Sequence, residues 1–117
     1  MPIKEWSKDV YLAELSDDPQ LSDDITLLED RMENDPRHTV LNFSEVGFIN
    51  SSNIARMLKL RKMMISQNKR LLISDVNSQV WSVFLVTGLD KIFEFTKDVV
   101  TSLATLQIEN TGADGGD

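Results

Sequence analysis

The 117-residue sequence contains no cysteine and only one histidine, His38. Without cysteine the chain can form neither disulfide bonds nor thiolate metal sites, a composition that suits a reducing cytoplasm. A single histidine makes a zinc site or a Ser-His-Asp triad difficult to assemble. Because His38 lies at the start of a predicted strand, we interpret it as a surface or strand-edge residue. We therefore expect a protein that is not an enzyme and that needs no metal or other cofactor.

Glycine-rich loops and long apolar runs are also missing. Gly47 and Gly88 stand alone in the body of the sequence, which therefore has no glycine-rich phosphate-binding loop. No run approaches the roughly 18 apolar residues of a membrane helix. The first residues, Met-Pro-Ile-Lys-Glu-Trp, lack the basic and apolar segments of a signal peptide. These features predict a cytoplasmic protein without a membrane span.

Acidic residues predominate and give a net charge of −7. Twelve of the 19 acids lie in residues 1–45, and none lies between Val46 and Ser74, a stretch that carries six of the 12 basic residues. The negative net charge argues against direct nucleic-acid binding. A local basic surface on an acidic protein favours an acidic protein partner, and a solvated basic helix face explains the same pattern equally well.

Four aspartates, Asp17, Asp18, Asp23 and Asp24, form the densest acidic cluster. Their spacing differs from that of a calcium-binding loop. Turn formation and helix capping explain them more simply, because Asp favours turns and the helix dipole favours negative charge in a first turn.

Apolar periodicity predicts strands and helices in the order β-β-α-β-α-β-α-β-α. The strands are expected within residues 3–15 as a hairpin turning at 7–9, and then at 39–43, 71–74 and 92–95. The helices are expected to begin at Ser22, Ser52, Val80 and Thr96, with Ser22 and Thr96 as N-caps and Gly88 as the end of the third.

This order predicts one α/β domain, residues 1–108, with a mixed and largely parallel sheet of four or five strands and about four helices. Residues 40–43 and 71–74 are apolar on both faces and are expected in the interior of the sheet. Residues 109–117 contain three Gly and two Asp, and we expect them to form a disordered tail.

The segment Phe48-Ile49-Asn50-Ser51-Ser52-Asn53-Ile54 lies between a predicted buried strand and a long helix. A hydroxyl here can cap the helix by accepting a backbone N–H. A phosphate on the same hydroxyl would meet the positive end of the helix and add nearly two negative charges to an exposed corner. The residues alone leave both roles open for Ser51 and Ser52.

Residues 40–74 resemble the centre of the STAS domain family, of the anti-sigma factor antagonist type. In that family a buried strand leads to an Asp-Ser-Ser/Thr-Gly turn that opens a helix, and residues 41–43, 48–53 and 69–73 correspond to these parts. Residues 86–93 resemble the segment before the last strand of the family. The resemblance implies the STAS fold, with the helices mainly over one face of the sheet.

The resemblance also implies a bacterial transcription regulator that switches partners. Its partner would be an anti-sigma factor that is also a serine kinase, and Ser52 is the phosphate acceptor by position. The implied binding surface is Asn50, Ser51, Ser52 and Asn53, together with Arg56 and Lys59 of the helix. Phosphorylation would abolish binding.

Two departures from the family pattern keep other functions open. Asn50 stands where the family usually has Asp, and Asn53 stands where it usually has Gly. They favour a STAS scaffold that is never phosphorylated, such as a subunit of a signalling or lipid-transport assembly. A third hypothesis is a small-ligand or nucleotide sensor that uses the turn as an anion site. The oligomeric state, the sigma factor and the signal are left open by the sequence.

Overall fold

Five strands form one mixed sheet in the order β1-β2-β3-β4-β5. The structure is a computed structural model that describes residues 2–115, with side chains as far as Ile108. The strands are β1 (Ile3–Ser7), β2 (Val10–Ser16), β3 (His38–Glu45), β4 (Leu71–Ser74) and β5 (Glu94–Thr96). The hairpin β1–β2 is antiparallel, and each later strand runs parallel to its neighbour. The predicted mixed sheet is confirmed, with β3 and β4 in its interior.

Four helices connect or follow the parallel strands. They are α1 (Gln20–Asn34), α2 (Ser51–Ser66), α3 (Ser78–Thr87) and α4 (Val99–Gly115). A short 3-10 turn, Leu89–Lys91, leads from α3 to β5. The element order is the predicted one. Gly88 ends α3 with a φ of 75°, a left-handed conformation that glycine adopts without a Cβ clash.

The two faces of the sheet are covered unequally, because side chains alternate along each strand. In β2, Tyr11, Ala13 and Leu15 pack in the main core with apolar residues of α1, α2 and α3. Val10 and Leu12 point to the other face, where they form a smaller cluster that includes Leu106 of α4. Three helices therefore cover one face, as predicted, and α4 covers the other.

Several element boundaries differ from the predictions. Helix α1 begins at Gln20 and not after Ser22, and α3 begins two residues before Val80. Strand β3 continues through Glu45, whereas β5 is shorter than predicted and begins at Glu94. These ends lie beside turns, where local sequence preferences are weakest and pairing with a neighbouring strand or helix decides the boundary.

The beginning and the end of α4 also differ from the prediction. Asp98 is the capping side chain in place of Thr96: its Oδ1 accepts from the backbone N–H of Thr101 at 2.8 Å, and hydrogen bonds from Thr101 lower the pKa of Asp98. The hydroxyl of Thr96 instead donates to the carbonyl of Asp98. The helix backbone continues to Gly115, beyond residue 108, where the predicted domain ends. The side chains of 109–117 lie outside the described residues, and a disordered tail stays a prediction.

Helix α3 is held on the sheet by an aromatic cluster around Phe84. The ring of Phe84 is fully buried. Its centroid lies 6.3 Å from that of Phe43, 6.1 Å from that of Phe93 and 5.0 Å from that of Phe95. The contacts are tilted or edge-to-face, the arrangements that aromatic quadrupoles prefer. The cluster therefore links α3 to both β3 and β5.

We expect Phe84→Ala to lower the free energy of unfolding by about 3–5 kcal/mol, the usual cost of removing a buried aromatic ring. Urea unfolding followed by circular dichroism measures the change. The adjacent Leu85 is half exposed, and Leu85→Ala is the control, with an expected change within about 0.5 kcal/mol. Equal losses in the two variants would contradict this account of how α3 is anchored.

Candidate functional site

The first turns of three helices meet at one edge of the sheet. Because β2, β3 and β4 are parallel, their carboxyl ends lie at the same edge. Helices α1, α2 and α3 each follow one of these strands, so their N-termini begin there. Each N-terminus carries unpaired N–H groups and a positive partial charge. The edge is therefore a place where polar side chains are required and where negative charge is favoured.

Asp17 fixes the loop that joins β3 to α2. Its Oδ1 accepts from the N–H of Gly47 at 2.9 Å and from the N–H of Phe48 at 3.3 Å. Thirty residues of sequence separate the acceptor from these donors, so only the fold brings them together. Of the acidic cluster, Asp17 and Asp18 form such hydrogen bonds, while Asp23 is exposed and Asp24 is buried. No group of His, Asp and Glu among the described residues could hold a metal ion.

Asn50 is the N-cap of α2. Its Oδ1 accepts from the N–H of Asn53 at 2.8 Å, and the Oδ1 of Asn53 accepts from the N–H of Asn50 at 3.0 Å. This reciprocal pair is a capping box. The interpretation of Ser51 and Ser52 as caps is wrong, because the helix begins at Ser51 and an amide oxygen already occupies the capping position.

Asp18 connects this capping box to α1. Its Oδ2 accepts from the Nδ2 of Asn53 at 2.9 Å, and its Oδ1 accepts from the N–H and the hydroxyl of Ser22, each at 2.9 Å. The predicted cap Ser22 is thus a donor within the first turn of α1. The hydrogen bond from Asn53, followed by those from Ser22, lowers the pKa of Asp18. One ionised carboxylate therefore joins the starts of two helices.

The four predicted turn residues are thus divided into two pairs. Asn53 is only 1% exposed and its side chain is used within the chain. Asn50 is exposed but also serves the cap. Ser51 and Ser52 are both exposed, and among the described residues their N–H groups have no intrachain acceptor. The two serines therefore present free hydroxyls and free amides at the positive end of α2.

Arg56 and Lys59 are exposed and contact α1. Arg56 donates to the hydroxyl of Thr26 at 3.1 Å. Lys59 lies 3.2 Å from the carboxylate of Glu29, in a salt bridge whose lysine side chain is 69% exposed and whose glutamate side chain is 13% exposed. Both cations help to join α1 to α2, a role that the sequence pattern alone did not indicate.

Asn77 is a further residue of the site that the sequence analysis missed. Its Oδ1 accepts from the N–H of Val80 at 2.8 Å and so caps α3. Its Nδ2 donates to the carbonyl of Val46 at 2.9 Å. The start of α3 is thereby tied to the loop before α2. The position of Asn77 before an apolar helical run is the signal that predicts a cap, but its partner Val46 lies 31 residues away.

A groove separates this loop from α3. It has a volume of about 370 Å³ and lies between residues 47–49 and residues 79–83. A second hollow of about 240 Å³ continues past Ser82 and Val83 to Val86. Phe48 is 67% exposed and Val86 is 87% exposed. An apolar surface therefore begins three residues before Ser51.

His38 lies at the opposite ends of the strands. Its Nδ1 accepts from the N–H of Arg70 at 3.0 Å, where β3 and β4 begin. The side chain is half-buried. His38 lies at the start of a strand, as expected, and its contact joins the starts of two strands away from Ser52.

Asp18→Asn should lower the free energy of unfolding by about 0.5–1 kcal/mol at pH 7, because charge-assisted hydrogen bonds at an exposed site, weakened by solvent, are lost. The lowered pKa means that the ionised group stabilises the fold above the unfolded-state pKa of about 3.9. This contribution is lost as the pH falls through the folded-state pKa. Urea unfolding at neutral pH and near pH 3 should show the difference from the wild type shrinking.

Asp23→Asn is the matched control for Asp18→Asn. Asp23 is exposed in the same first turn of α1, so the variant removes the same charge without breaking the connection to α2. An equally large loss in Asp23→Asn would mean that the helix dipole, and not the connection to Asn53, is responsible.

Comparisons with known proteins agree with this fold. The family model of the STAS domain matches residues 10–102. A candidate anti-sigma factor antagonist from Thermotoga maritima has 16% identity and a TM-score of 0.80, over 91% of this chain and 93% of that chain. A STAS domain protein from Planctomyces limnophilus, an anti-sigma factor antagonist, has 15% identity and a TM-score of 0.77, over 90% and 96%.

The Bacillus cell fate determinant SpoIIAA in its phosphorylated form has 12% identity and a TM-score of 0.70, over 89% of this chain and 96% of that chain. No curated protein matches the sequence. Within the described residues, no helix is long and apolar enough to cross a membrane. At these identities the solved structures share the fold, and the family model covers most of the chain: this protein belongs to the STAS domain family.

Proposed function

We propose that this protein is an anti-sigma factor antagonist, which binds an anti-sigma factor that is also a serine kinase. Phosphorylation of Ser52 ends the binding. The observation that carries the proposal is the position of Ser52. Its side chain is exposed in the first turn of α2, and the helix is capped by Asn50 and not by Ser52. A kinase can reach such a hydroxyl, and its modification leaves the helix cap intact.

The surroundings of Ser52 tolerate a phosphate. The N-termini of α1, α2 and α3 converge at this edge, and the helix dipole favours a nearby anion by about 0.3–1 kcal/mol. The first turn of α2 contains no acidic side chain, and the two nearby carboxylates, those of Asp17 and Asp18, already accept hydrogen bonds from the chain. Bacillus SpoIIAA, a structural relative, has been solved both unphosphorylated and phosphorylated. The proposed modification should therefore change the surface and leave the fold in place.

The surface beside Ser52 suits an uncharged, apolar part of the partner. Residues 76–89, which include all of α3, contain no charged side chain, although 26% of the chain is charged. The groove beside Phe48 and the exposed Val86 form its apolar part. Two negative charges introduced at the margin of an apolar contact would be buried without a partner, at a high cost in free energy. The neutrality of the surface thus makes phosphorylation an effective switch.

The predicted contact residues have different roles in this surface, according to whether they are exposed. Asn50, Ser51 and Ser52 form the exposed turn, while Asn53 positions it from within. Arg56 and Lys59 extend the surface along α2 and can meet acidic groups of the partner. The substitutions Asn50 and Asn53 are accounted for by the capping box and by Asp18, which use the amide groups of both residues.

Ser52→Ala should retain binding and resist phosphorylation, and Ser52→Asp should weaken binding at least about tenfold, or 1.4 kcal/mol. Because Asn50 is the cap, Ser52→Ala should change the free energy of unfolding by less than about 0.5 kcal/mol. Ser52→Ala serves as bait in the lysate of the source organism. The captured protein is then purified, incubated with ATP and the wild type, and the phosphorylated residue is located by mass spectrometry.

Ser51→Ala is the control for this experiment, and it should be phosphorylated like the wild type. Modification at Ser51, or at no residue, would overturn the switch at Ser52. Binding without any modification would support the alternative of a scaffold that is never phosphorylated.

Val86→Glu should weaken binding of the same purified partner by about tenfold or more, because it places an unpaired charge in the apolar contact. Val100→Glu is the matched control: Val100 is 76% exposed on α4, over the other face of the sheet. Isothermal titration calorimetry gives both affinities. Unchanged affinity in Val86→Glu would remove α3 from the proposed surface.

A further inference from the structure

A third cavity lies at the opposite edge of the sheet from Ser52. It is bounded by the C-terminal half of α2 and by the beginnings of β4 and β5, and its volume is about 150 Å³. Since β4 and β5 are parallel, their first residues lie at the edge remote from the helix N-termini described above. This cavity is therefore separate from the proposed partner surface and does not depend on the proposed function.

The charged groups around this cavity are mainly cationic. Arg61, Lys69 and Arg70 supply three positive charges and Glu94 supplies one negative charge, so the lining carries a net charge of +2 in a chain of −7. Glu94 is already paired with Arg70. Arg61 and Lys69 are half-buried, and neither forms a salt bridge with any described residue. Partly desolvated cations attract an anion more strongly than cations in open solvent.

Apolar side chains complete the cavity. Ile65 and Ile92 line it and are 53% and 43% exposed, and Phe93 lines it as a buried residue. Arg61 and Ile65 are four residues apart and therefore lie on one face of α2. The cavity thus offers both cations and apolar side chains to one ligand. Its volume of about 150 Å³ suits a ligand of a few carbon atoms.

We propose that this cavity binds a small organic anion, a carboxylate with a short apolar chain. The guanidinium of Arg61 suits a carboxylate because its planar N–H groups can donate two parallel hydrogen bonds. Lys69 adds a second charge, and the alkyl part of the ligand packs against Ile65 and Ile92. The site allows the domain to bind a metabolite near the C-terminal end of α2, while Ser52 lies at the N-terminal end of the same helix.

Butyrate is the probe for this site, and n-butanol is its uncharged counterpart. Each is titrated into the ¹⁵N-labelled wild type at constant ionic strength, and amide chemical shifts are followed. Butyrate should cause saturable shifts around residues 61–71 and 92–94, with a Kd of about 1–10 mM, in the range expected for six non-hydrogen atoms. Butanol should cause no saturable shift there. Absence of saturation with butyrate, or equal binding of butanol, would overturn the proposal.

Charge variants identify the residues responsible. The double variant Arg61→Gln/Lys69→Gln should raise the Kd at least about tenfold. Lys62→Gln is the matched control, because Lys62 is exposed beside Arg61 and does not line the cavity. Ile92→Glu should also prevent binding, because it adds a negative charge to the lining that repels the carboxylate of butyrate. An equal effect of Lys62→Gln would show that butyrate responds only to the overall charge of α2, and would overturn the site.

Discussion

The carboxylate of Asp18 accepts hydrogen bonds from the first turn of α1 and from the buried amide of Asn53 in α2. It does so because parallel strands deliver the starts of successive helices to one edge of the sheet, where N–H groups have no partners in their own helices. Asp17 and Asn77 meet the same requirement for the intervening loop and for α3. Three short polar side chains thereby fix the relative positions of three helices.

The exposure of Ser52 depends on this framework. Asn50 and Asn53 form the capping box of α2, so neither serine hydroxyl is needed to cap the helix. The side chain of Asn53 donates a hydrogen bond to Asp18 and orients the turn, although this side chain is almost inaccessible to solvent. The amides at these two positions, where the STAS motif usually has Asp and Gly, form hydrogen bonds that those residues would not reproduce together. The departures from the motif are thus consistent with an ordered turn.

Charge is divided between the two edges of the sheet. The edge with Ser52 carries the hydrogen-bonded carboxylates of Asp17 and Asp18, beside the uncharged α3 and the N-termini of three helices. The other edge carries Arg61, Lys69 and Arg70 around a small cavity. The basic residues of α2 therefore do not form one uniform face: Arg56 and Lys59 contact α1, whereas Arg61 lines the cavity. The proposed partner site and the proposed anion site occupy opposite ends of this helix.

The sequence by itself determined the order of the elements, the buried strands β3 and β4, the end of α3 at Gly88 and the place of Ser52 at the start of a helix. These follow from apolar periodicity and from local backbone preferences, which act over a few residues. Tertiary structure decided where α2 and α4 begin, and with that which of the neighbouring polar residues caps them: Asp98 replaced Thr96 and Asn50 replaced the serines. It also decided the partners of Asp17, Asp18, Asn77 and Lys59, which lie about 30 residues away along the chain. Hydrogen bonds and ion pairs require distances of a few ångströms, and only the packing of α1, α2 and α3 on the sheet brings these groups that close.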